Sequence, residues 1–229
     1  MKTALVLAAC LAAPFAGAAT GACSFGQRGA LLHSDDFSGP LKAYVAEYAR
    51  KPGNTVASVD GRLVIDVDSG ATVWLDKPLS GNLLITYTRR VVVDGGKNDR
   101  LSDLNDFWMA HDPASDKLFT RSGKFEDYDT LNLYYVGIGG NGNTTTRMRR
   151  YGAGQRVLLG EHLDAGHLLA PNRDYQVEIA VYEGCTRVRV DGKDYFTYRD
   201  PQPYTRGYFG FRTTWSRQVI DNLAIFQLN

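Results

Sequence analysis

Short stretches in which apolar and polar residues alternate recur along the whole chain, and they are rich in Val, Ile, Tyr, Phe and Thr. A period of two is typical of strands with one buried face. The pattern predicts strands at 62–67, 71–75, 82–93, 106–110, 131–138, 144–151, 175–182, 186–190, 194–198, 207–213 and 219–228. Only 40–50 and 162–169 could hold a turn or two of helix. The sequence therefore predicts an all-β fold, an antiparallel two-sheet β-sandwich of jelly-roll type.

Two dipeptides predict tight hairpins between these strands. Asp60-Gly61 and Asp191-Gly192 each separate two strand-like stretches, and Gly tolerates the positive φ that such turns require. We find no linker, internal repeat or low-complexity tract. We therefore expect residues 23–229 to form a single domain.

The first residues have the pattern of a signal peptide. Lys2 is followed by an apolar run and then by small residues, with a cut expected after Ala18 or Ala22. We assign residues 1–22 to this segment and expect a secreted or periplasmic protein. A lipid anchor at Cys23 is an alternative that the residues before it fit poorly.

Charge and hydropathy exclude several partners. Without Lys2 the chain has 25 basic and 25 acidic side chains, so it lacks the basic excess of a nucleic-acid-binding protein. No apolar run after the signal segment is long enough to span a bilayer. We expect neither a nucleic-acid partner nor a membrane span, and we expect a monomer.

Two cysteines remain once Cys10 is removed with the signal segment. Disulfides persist in exported proteins, and neither Cys23 nor Cys185 has a neighbouring base that would make it a reactive thiol. We expect a bond between them.

The beginning and end of the domain, 34–41 and 219–228, resemble the concanavalin A-like lectin and glucanase superfamily. The stretches 103–113, 121–131, 134–151 and 207–216 are similar to an uncharacterised family of secreted bacterial proteins that is often associated with plant-polysaccharide degradation. The resemblance implies a jelly roll with the first and last strands side by side and a concave face for sugars. It implies the chemistry only weakly, because one fold hosts many functions.

The carboxylate pattern of the superfamily's glucanases is absent. Those enzymes carry two glutamates and an aspartate on one strand, whereas this chain has no E-x-D-x-E or E-x-D-x-x-E. A retaining hydrolase with two carboxylates is therefore disfavoured.

The most informative stretch is 139–151, GGNGNTTTRMRRY, which predicts a hairpin. We expect 139–143 to form the turn, with residue 138 opposite 144 and 136 opposite 146. Alternation then places Val136, Ile138 and Met148 on a core face. The opposite face combines arginines and tyrosines, which suit an anionic sugar because the guanidinium group binds carboxylates in two-pronged fashion. Its members are Tyr135, Thr145, Arg147, Arg149 and Tyr151.

These residue types fit β-elimination of a uronate, which requires a group that neutralises the carboxylate, a base and an acid. We expect Arg147 and Arg149 to neutralise the carboxylate and Tyr135 to act as base or acid, with its pKa lowered by the guanidinium groups. The resembled superfamily includes alginate and glucuronan lyases built from Arg, Gln or Asn, His and Tyr, although this assigns no residue. A polysaccharide lyase is the preferred hypothesis. The alternatives are a non-catalytic carbohydrate-binding module, a glycosidase acting on acidic or oxidised sugars, or a solvated strand with surface arginines.

Further residues are candidates for substrate binding by their side-chain chemistry and their position near this hairpin or on a long loop. They are Asn105, Trp108, Arg121, Lys124, Tyr128, Asn141, Asn143, Thr145 and Tyr151. Trp108 and Trp215 are equally compatible with the core.

No cofactor is expected, and the metal content is left open. His33, His111, His162 and His167 lack the spacing of a zinc site, and only His111 is a candidate base. A structural calcium ion is possible at Asp35, Asp36 and Asp221, although these carboxylates could instead cap turns.

Overall fold

The computed structural model describes residues 22–229, so the expected signal peptide lies almost wholly outside the described residues. Fourteen strands make up most of this range. They are β1 (Arg28–Asp35), β2 (Tyr44–Tyr48), β3 (Thr55–Val59), β4 (Arg62–Leu75), β5 (Leu79–Ser80), β6 (Leu83–Val92), β7 (Leu104–His111), β8 (Asn132–Gly139), β9 (Thr145–Gly152), β10 (Gln155–His162), β11 (Asp174–Tyr182), β12 (Cys185–Val190), β13 (Lys193–Arg199) and β14 (Arg206–Leu228).

Helical structure is limited to single turns. Two 3₁₀ turns lie at Phe125–Tyr128 and Ala165–His167. A four-residue turn, α1 (Gly140–Asn143), joins β8 to β9, and Asn141 and Gly142 in it have positive φ. Among the described residues, no helix is long and apolar enough to cross a membrane.

The long strands β4 and β14 take part in both layers of the molecule. The first half of β14 pairs with β7, its second half pairs with β6, and β4 runs antiparallel to it from Gly210 to Ile220. One layer, here called the front layer, has the order β10-β9-β8-β7-β14-β4-β2. The back layer has the order β13-β12-β11-β6-β14, with β1, β3 and the first half of β4 beyond β14.

The main hydrophobic core contains side chains from both layers, for example Val136 and Met148 from the front and Val177 and Val188 from the back. A second cluster lies on the outer face of the front layer. It is built around Trp74, Phe107, Tyr128, Tyr135 and Tyr151, and Leu118 and Leu131 of the segment 112–131 join it. That segment covers part of the front layer, which is why strands such as β7 are buried on both faces.

The predicted fold class is confirmed, and so are both Asp-Gly hairpins and the pairing of the first strand with the last. Cys23 and Cys185 form the expected disulfide, with their Cα atoms 5.8 Å apart.

Three local expectations were wrong. Residues 44–48, within the candidate helical segment, form strand β2, because they pair along the end of β4. The stretches 62–67 and 71–75 are one strand, as are 207–213 and 219–228, because bulges carry the chain across the breaks in the pattern. Strands β1 and β10 were missed, since their burial patterns do not alternate regularly. The two-residue strand β5 was also missed.

Candidate functional site

A cleft of about 440 Å³ opens on the outer face of the front layer, beside the aromatic cluster and the segment 112–131. Strands β7, β8 and β9 form its floor, and β10, α1 and the bend of β14 form its sides. Its lining residues are Arg100, Asp103, Asn105, Phe125, Glu126, Tyr135, Gly137, Gly140, Asn141, Thr145, Arg147, Arg149, Arg156 and Thr214.

The hairpin of β8 and β9 positions the main candidate side chains. Tyr135 pairs with Arg149 and Gly137 pairs with Arg147, so the register differs by two residues from the one expected. A shift of two keeps every side chain on its face of the sheet. The expected grouping of Tyr135, Thr145, Arg147 and Arg149 is therefore present, and all four line the cleft.

Gly137 creates the deepest part of the floor. A Cβ atom built on it would lie 2.0 Å from Tyr135 Oη and 2.7 Å from Asn105 Oδ1. The Tyr135 phenol thus folds over Gly137 towards the Asn105 amide. Asn105 Oδ1 is buried without a hydrogen-bond partner in the described structure. An orphaned buried acceptor is unusual in native proteins, and this one belongs to a residue that lines the cleft and is only 2% exposed.

The expectation that the pKa of Tyr135 would be lowered was wrong. Burial raises the pKa of Tyr135, as do Tyr151 and Asp103, and this outweighs the opposing influence of Arg149 and Arg212. Desolvation disfavours the charged phenolate more than the nearby guanidinium groups favour it. Tyr135 is therefore a neutral phenol at physiological pH. It can donate a hydrogen bond or a proton, but it is poorly suited to act as a base.

Three of the four arginines in the cleft already have carboxylate partners. Arg147 pairs with Glu161, Arg156 Nη2 lies 2.8 Å from Asp129 Oδ2, and Arg100 Nη2 lies 3.0 Å from Asp103 Oδ2. Arg149 forms no salt bridge with any acidic residue in 22–229. Its guanidinium carbon lies 5.6 Å from the centre of the Tyr135 ring. Arg149 is thus the cleft arginine without a carboxylate partner among the described residues.

Asp103 is a cleft residue that the sequence analysis did not single out. Burial raises the pKa of its carboxyl group, while Arg100 acts in the opposite direction. Asp103 lies just before β7 and has a positive φ of 63°. Strand alternation therefore does not account for its place in the cleft, and the sequence pattern gave no signal for it.

The other cleft residues missed from the sequence are Arg100, Phe125, Glu126, Gly137, Gly140, Arg156 and Thr214. Arg156 was missed because β10 was not predicted, and it faces the cleft beside β9 only through that strand pairing.

Six candidate residues line the cleft as expected: Asn105, Tyr135, Asn141, Thr145, Arg147 and Arg149. Three others are buried beneath or behind it, which corrects their assignment to substrate binding. Trp108 is fully buried in the main core and stacks on Tyr134. Tyr128 is fully buried and donates a hydrogen bond to Glu47. Tyr151 is fully buried in the aromatic cluster under the cleft.

Arg121, Lys124 and Asn143 also lie outside the lining. Arg121 holds the segment 112–131 together, since it pairs with Asp112 at 2.6 Å and donates to the Leu118 and Asp127 carbonyls. Lys124 is exposed at the start of a 3₁₀ turn. Asn143 exchanges two hydrogen bonds with the backbone of Leu169.

The histidines contribute nothing to the cleft lining. His111 lies on the other side of β7, where its Nε2 is 3.1 Å from Asn132 Nδ2, so it is not placed to act as a base in the cleft. His162 and His167 stack with ring centres 3.8 Å apart and nearly parallel planes, and Asp164 lies beside them. The nitrogen lone pairs of an imidazole lie in the plane of its ring. Because the two ring planes are nearly parallel, their lone pairs do not converge on one point, whereas binding of one metal ion by both rings requires convergence.

The three aspartates considered for calcium cap turns. Asp35 accepts a hydrogen bond from the Phe37 amide, Asp36 from the Ser38 amide, and Asp221 from the amide of the next residue. A calcium ion at these residues stays a prediction.

The family relationship of the chain rests on its central region. Residues 65–223 match the model of a domain of unknown function, DUF6250. The chain belongs to the DUF6250 family. The matched region contains the whole β7–β10 part of the cleft and the four stretches that resembled an uncharacterised family of secreted bacterial proteins. No curated protein matches this DUF6250 sequence.

Solved structures resemble this DUF6250 protein in fold. A Bacillus subtilis protein of unknown function with a galectin-like fold has a TM-score of 0.72 at 16% identity, over 88% of this chain and 98% of that chain. The Bacillus licheniformis β-glucanase has a TM-score of 0.60 at 11% identity, over 89% and 100%. The carbohydrate-binding module CBM66 from Bacillus subtilis has a TM-score of 0.56 at 12% identity, over 81% and 96%. At these identities the likeness establishes the jelly-roll fold.

Proposed function

We propose that this protein binds an acidic polysaccharide, one that contains uronate residues, in the cleft of the front layer. The observation that carries the proposal is Arg149, a guanidinium group in the cleft with no carboxylate partner among the described residues. A carboxylate from the ligand would complete the pair with charge-assisted hydrogen bonds. The Tyr135 ring lies 5.6 Å from the Arg149 guanidinium, and the Tyr135 hydroxyl would bind a hydroxyl group of the same sugar.

The composition of the cleft supports a sugar over an apolar ligand. Most of its lining side chains carry charges, amides or hydroxyls, and Tyr135 and Phe125 supply aromatic surface. A carbohydrate-binding module and a β-glucanase share the fold, which is consistent with this use. The disulfide and the expected signal peptide fit a protein that meets its ligand outside the cytoplasm.

Lyase activity on the same ligand is a second candidate function. It is favoured because the cleft contains both a carboxyl group, Asp103, and a neutral phenol, Tyr135. Arg149 would neutralise the uronate carboxylate and make the C5 proton acidic. The ionised Asp103 carboxylate would take that proton, and the neutral Tyr135 phenol would give its proton to the leaving O4 as the C4–O4 bond breaks and the C4–C5 double bond forms. The raised pKa of Asp103 brings its basicity closer to that needed near neutral pH.

Calorimetric titration with pectic, glucuronan and alginate oligosaccharides, and with neutral glucans, tests binding. We expect at least one uronate oligosaccharide to bind and the neutral glucans not to. Arg149→Ala should weaken binding about 10- to 150-fold, because a charge-assisted hydrogen bond is worth about 1.5–3 kcal/mol.

The matched control is Arg150→Ala, one residue away on the opposite face. Arg150 Nε lies 2.7 Å from Asp200 Oδ2, and its guanidinium stacks on Tyr204. This variant should lower thermal stability and leave binding unchanged. Binding that fails in Arg150→Ala and persists in Arg149→Ala would exclude the cleft as the site. The ultraviolet absorbance of unsaturated uronates, followed in the same mixtures, distinguishes a lyase from a binding protein.

A further inference from the structure

Trp215 is the tryptophan that the fold leaves in solvent. The chain has three tryptophans. Trp74 and Trp108 are fully buried, whereas Trp215 is 46% exposed. A large exposed aromatic side chain is common at binding sites, because its flat apolar face needs a partner.

A β-bulge turns this side chain outward. On β14, Phe209, Phe211 and Thr213 face inward, and strict alternation would bury residue 215 as well. The register between β14 and β4 shifts between Thr214 and Ser216, where β4 has one more residue than β14, so Trp215 lies opposite the two residues Asp68 and Ser69. From Ser216 to Ile220 the even-numbered residues of β14 are buried. A bulge changes which residues face the core and re-aims the side chain at its position.

The backbone at this position is unusual for tryptophan. Trp215 has a φ of 54°, a left-handed conformation that costs a bulky L-residue roughly 1–2 kcal/mol and that Gly or Asn would adopt more readily. Neither the burial of the ring nor the local backbone preference explains why tryptophan occupies this bulge.

Arg100 ties the bulge to the cleft. Its Nε donates a hydrogen bond to the Trp215 carbonyl at 2.9 Å, its Nη2 donates to the Thr214 carbonyl, and its guanidinium lies 5.5 Å from the centre of the indole. Arg100 and Thr214 themselves line the cleft. The indole is therefore held at the cleft rim with one side against Arg100 and the remainder open to solvent.

We infer that Trp215 is a stacking platform for a second sugar ring of the polysaccharide, beyond the ring whose carboxylate meets Arg149. This inference rests on the proposed function and adds that the ligand is an oligosaccharide lying across the rim formed by Thr214 and Trp215. The C–H face of a pyranose packs on the flat indole, while the cleft binds the charged residue. Affinity therefore depends on chain length.

Two variants distinguish the effect of the indole ring from the effect of the left-handed backbone conformation at position 215. Trp215→Asn removes the platform and suits the left-handed conformation, so the fold should keep or slightly gain thermal stability. Trp215→Tyr keeps a flat ring. For long uronate oligosaccharides we expect Trp215→Asn to weaken binding on the order of tenfold and Trp215→Tyr to retain most of the affinity. For the monosaccharide uronate, affinity should equal that of the wild type in both variants.

Fluorescence gives an independent readout because the other two tryptophans are buried. Iodide should quench mainly Trp215, and a saturating long oligosaccharide should suppress that quenching several-fold, whereas the monosaccharide should not. The inference would be overturned if Trp215→Asn bound oligosaccharides of every length with wild-type affinity and if saturation with a long oligosaccharide left iodide quenching of the wild type unchanged. Binding that depends on Arg149 would still support the proposed function in that case. Failure of all uronates to bind would overturn both.

Discussion

The Tyr135 hydroxyl is a group whose surroundings favour function over stability. No described residue accepts a hydrogen bond from it, and it points over Gly137 towards Asn105 in the cleft. The ring, by contrast, packs among Phe107, Phe125 and Tyr151. Tyr135→Phe should therefore leave the thermal midpoint nearly unchanged. If the protein is a lyase, this variant should lose turnover and keep binding, as measured by absorbance and calorimetry.

Tyr134→Phe is the control for this prediction, because Tyr134 lies on the opposite face of the same strand. Its hydroxyl donates a 2.5 Å hydrogen bond to Asp200, and loss of a buried bond to a carboxylate costs about 1–3 kcal/mol. Tyr134→Phe should be less stable and fully functional. Equal functional loss in both variants would show that the hydroxyl of Tyr135 has no specific role.

At the scale of elements, the turn α1 is a structural clamp as well as a part of the cleft. Asn143 Nδ2 donates to the Leu169 carbonyl at 2.9 Å, and the Leu169 amide donates back to Asn143 Oδ1 at 2.8 Å. Asn143→Gly keeps the positive φ of this position and removes both bonds. We expect a loss of about 1–3 kcal/mol, seen as a fall of several degrees in the thermal midpoint.

Asn141→Gly is the matched variant in the same turn. Asn141 also has positive φ and is exposed, and its amide makes one long contact, 3.5 Å to Thr145 Oγ1. Its thermal midpoint should stay close to that of the wild type. A larger loss for Asn141→Gly than for Asn143→Gly would contradict the clamp.

Most strands, and the side chains of β8 and β9 that face the cleft, were predictable because both follow from the alternation of apolar and polar residues along a strand. The hairpin register was wrong by two residues, yet Tyr135 and Arg149 stayed on the expected face because a strand repeats every two residues. What could not be predicted depends on features that alternation does not encode. The bulge at Trp215 reverses the buried face of β14.

Long-range partners were equally hidden in the sequence. The sequence offers Arg121 and Arg149 as equally good candidates for ligand binding. In the structure, Arg121 pairs with Asp112 and donates hydrogen bonds to backbone carbonyls, whereas Arg149 forms no salt bridge with a described acidic residue. The raised pKa of Tyr135 likewise arises from burial under the segment 112–131, which adds Leu118 and Tyr128 to the aromatic cluster.

At the scale of the whole molecule, the disulfide joins residues 162 positions apart and fixes the start of the domain to β12. Closing so long a loop restricts the unfolded chain strongly, and removal of such a bond typically costs about 2–5 kcal/mol. The double variant Cys23→Ala/Cys185→Ala should show a midpoint several degrees lower than the wild type by calorimetry. Reductant should lower the wild-type midpoint to a similar value and leave the variant unaffected. Equal midpoints for oxidised wild type and variant would contradict this expectation.

Strands β4 and β14 belong to both layers, so within residues 22–229 we expect the front layer to unfold together with the back layer. The rim of the cleft and the far side of the sandwich share one continuous strand. Any compound held by the native cleft alone therefore raises the melting temperature of the entire domain, by a free energy of about 2.7 kcal/mol at a concentration 100 times its Kd. Heating the protein in a panel of glycans, with no assay of chemistry at all, would thus be enough to find its ligand.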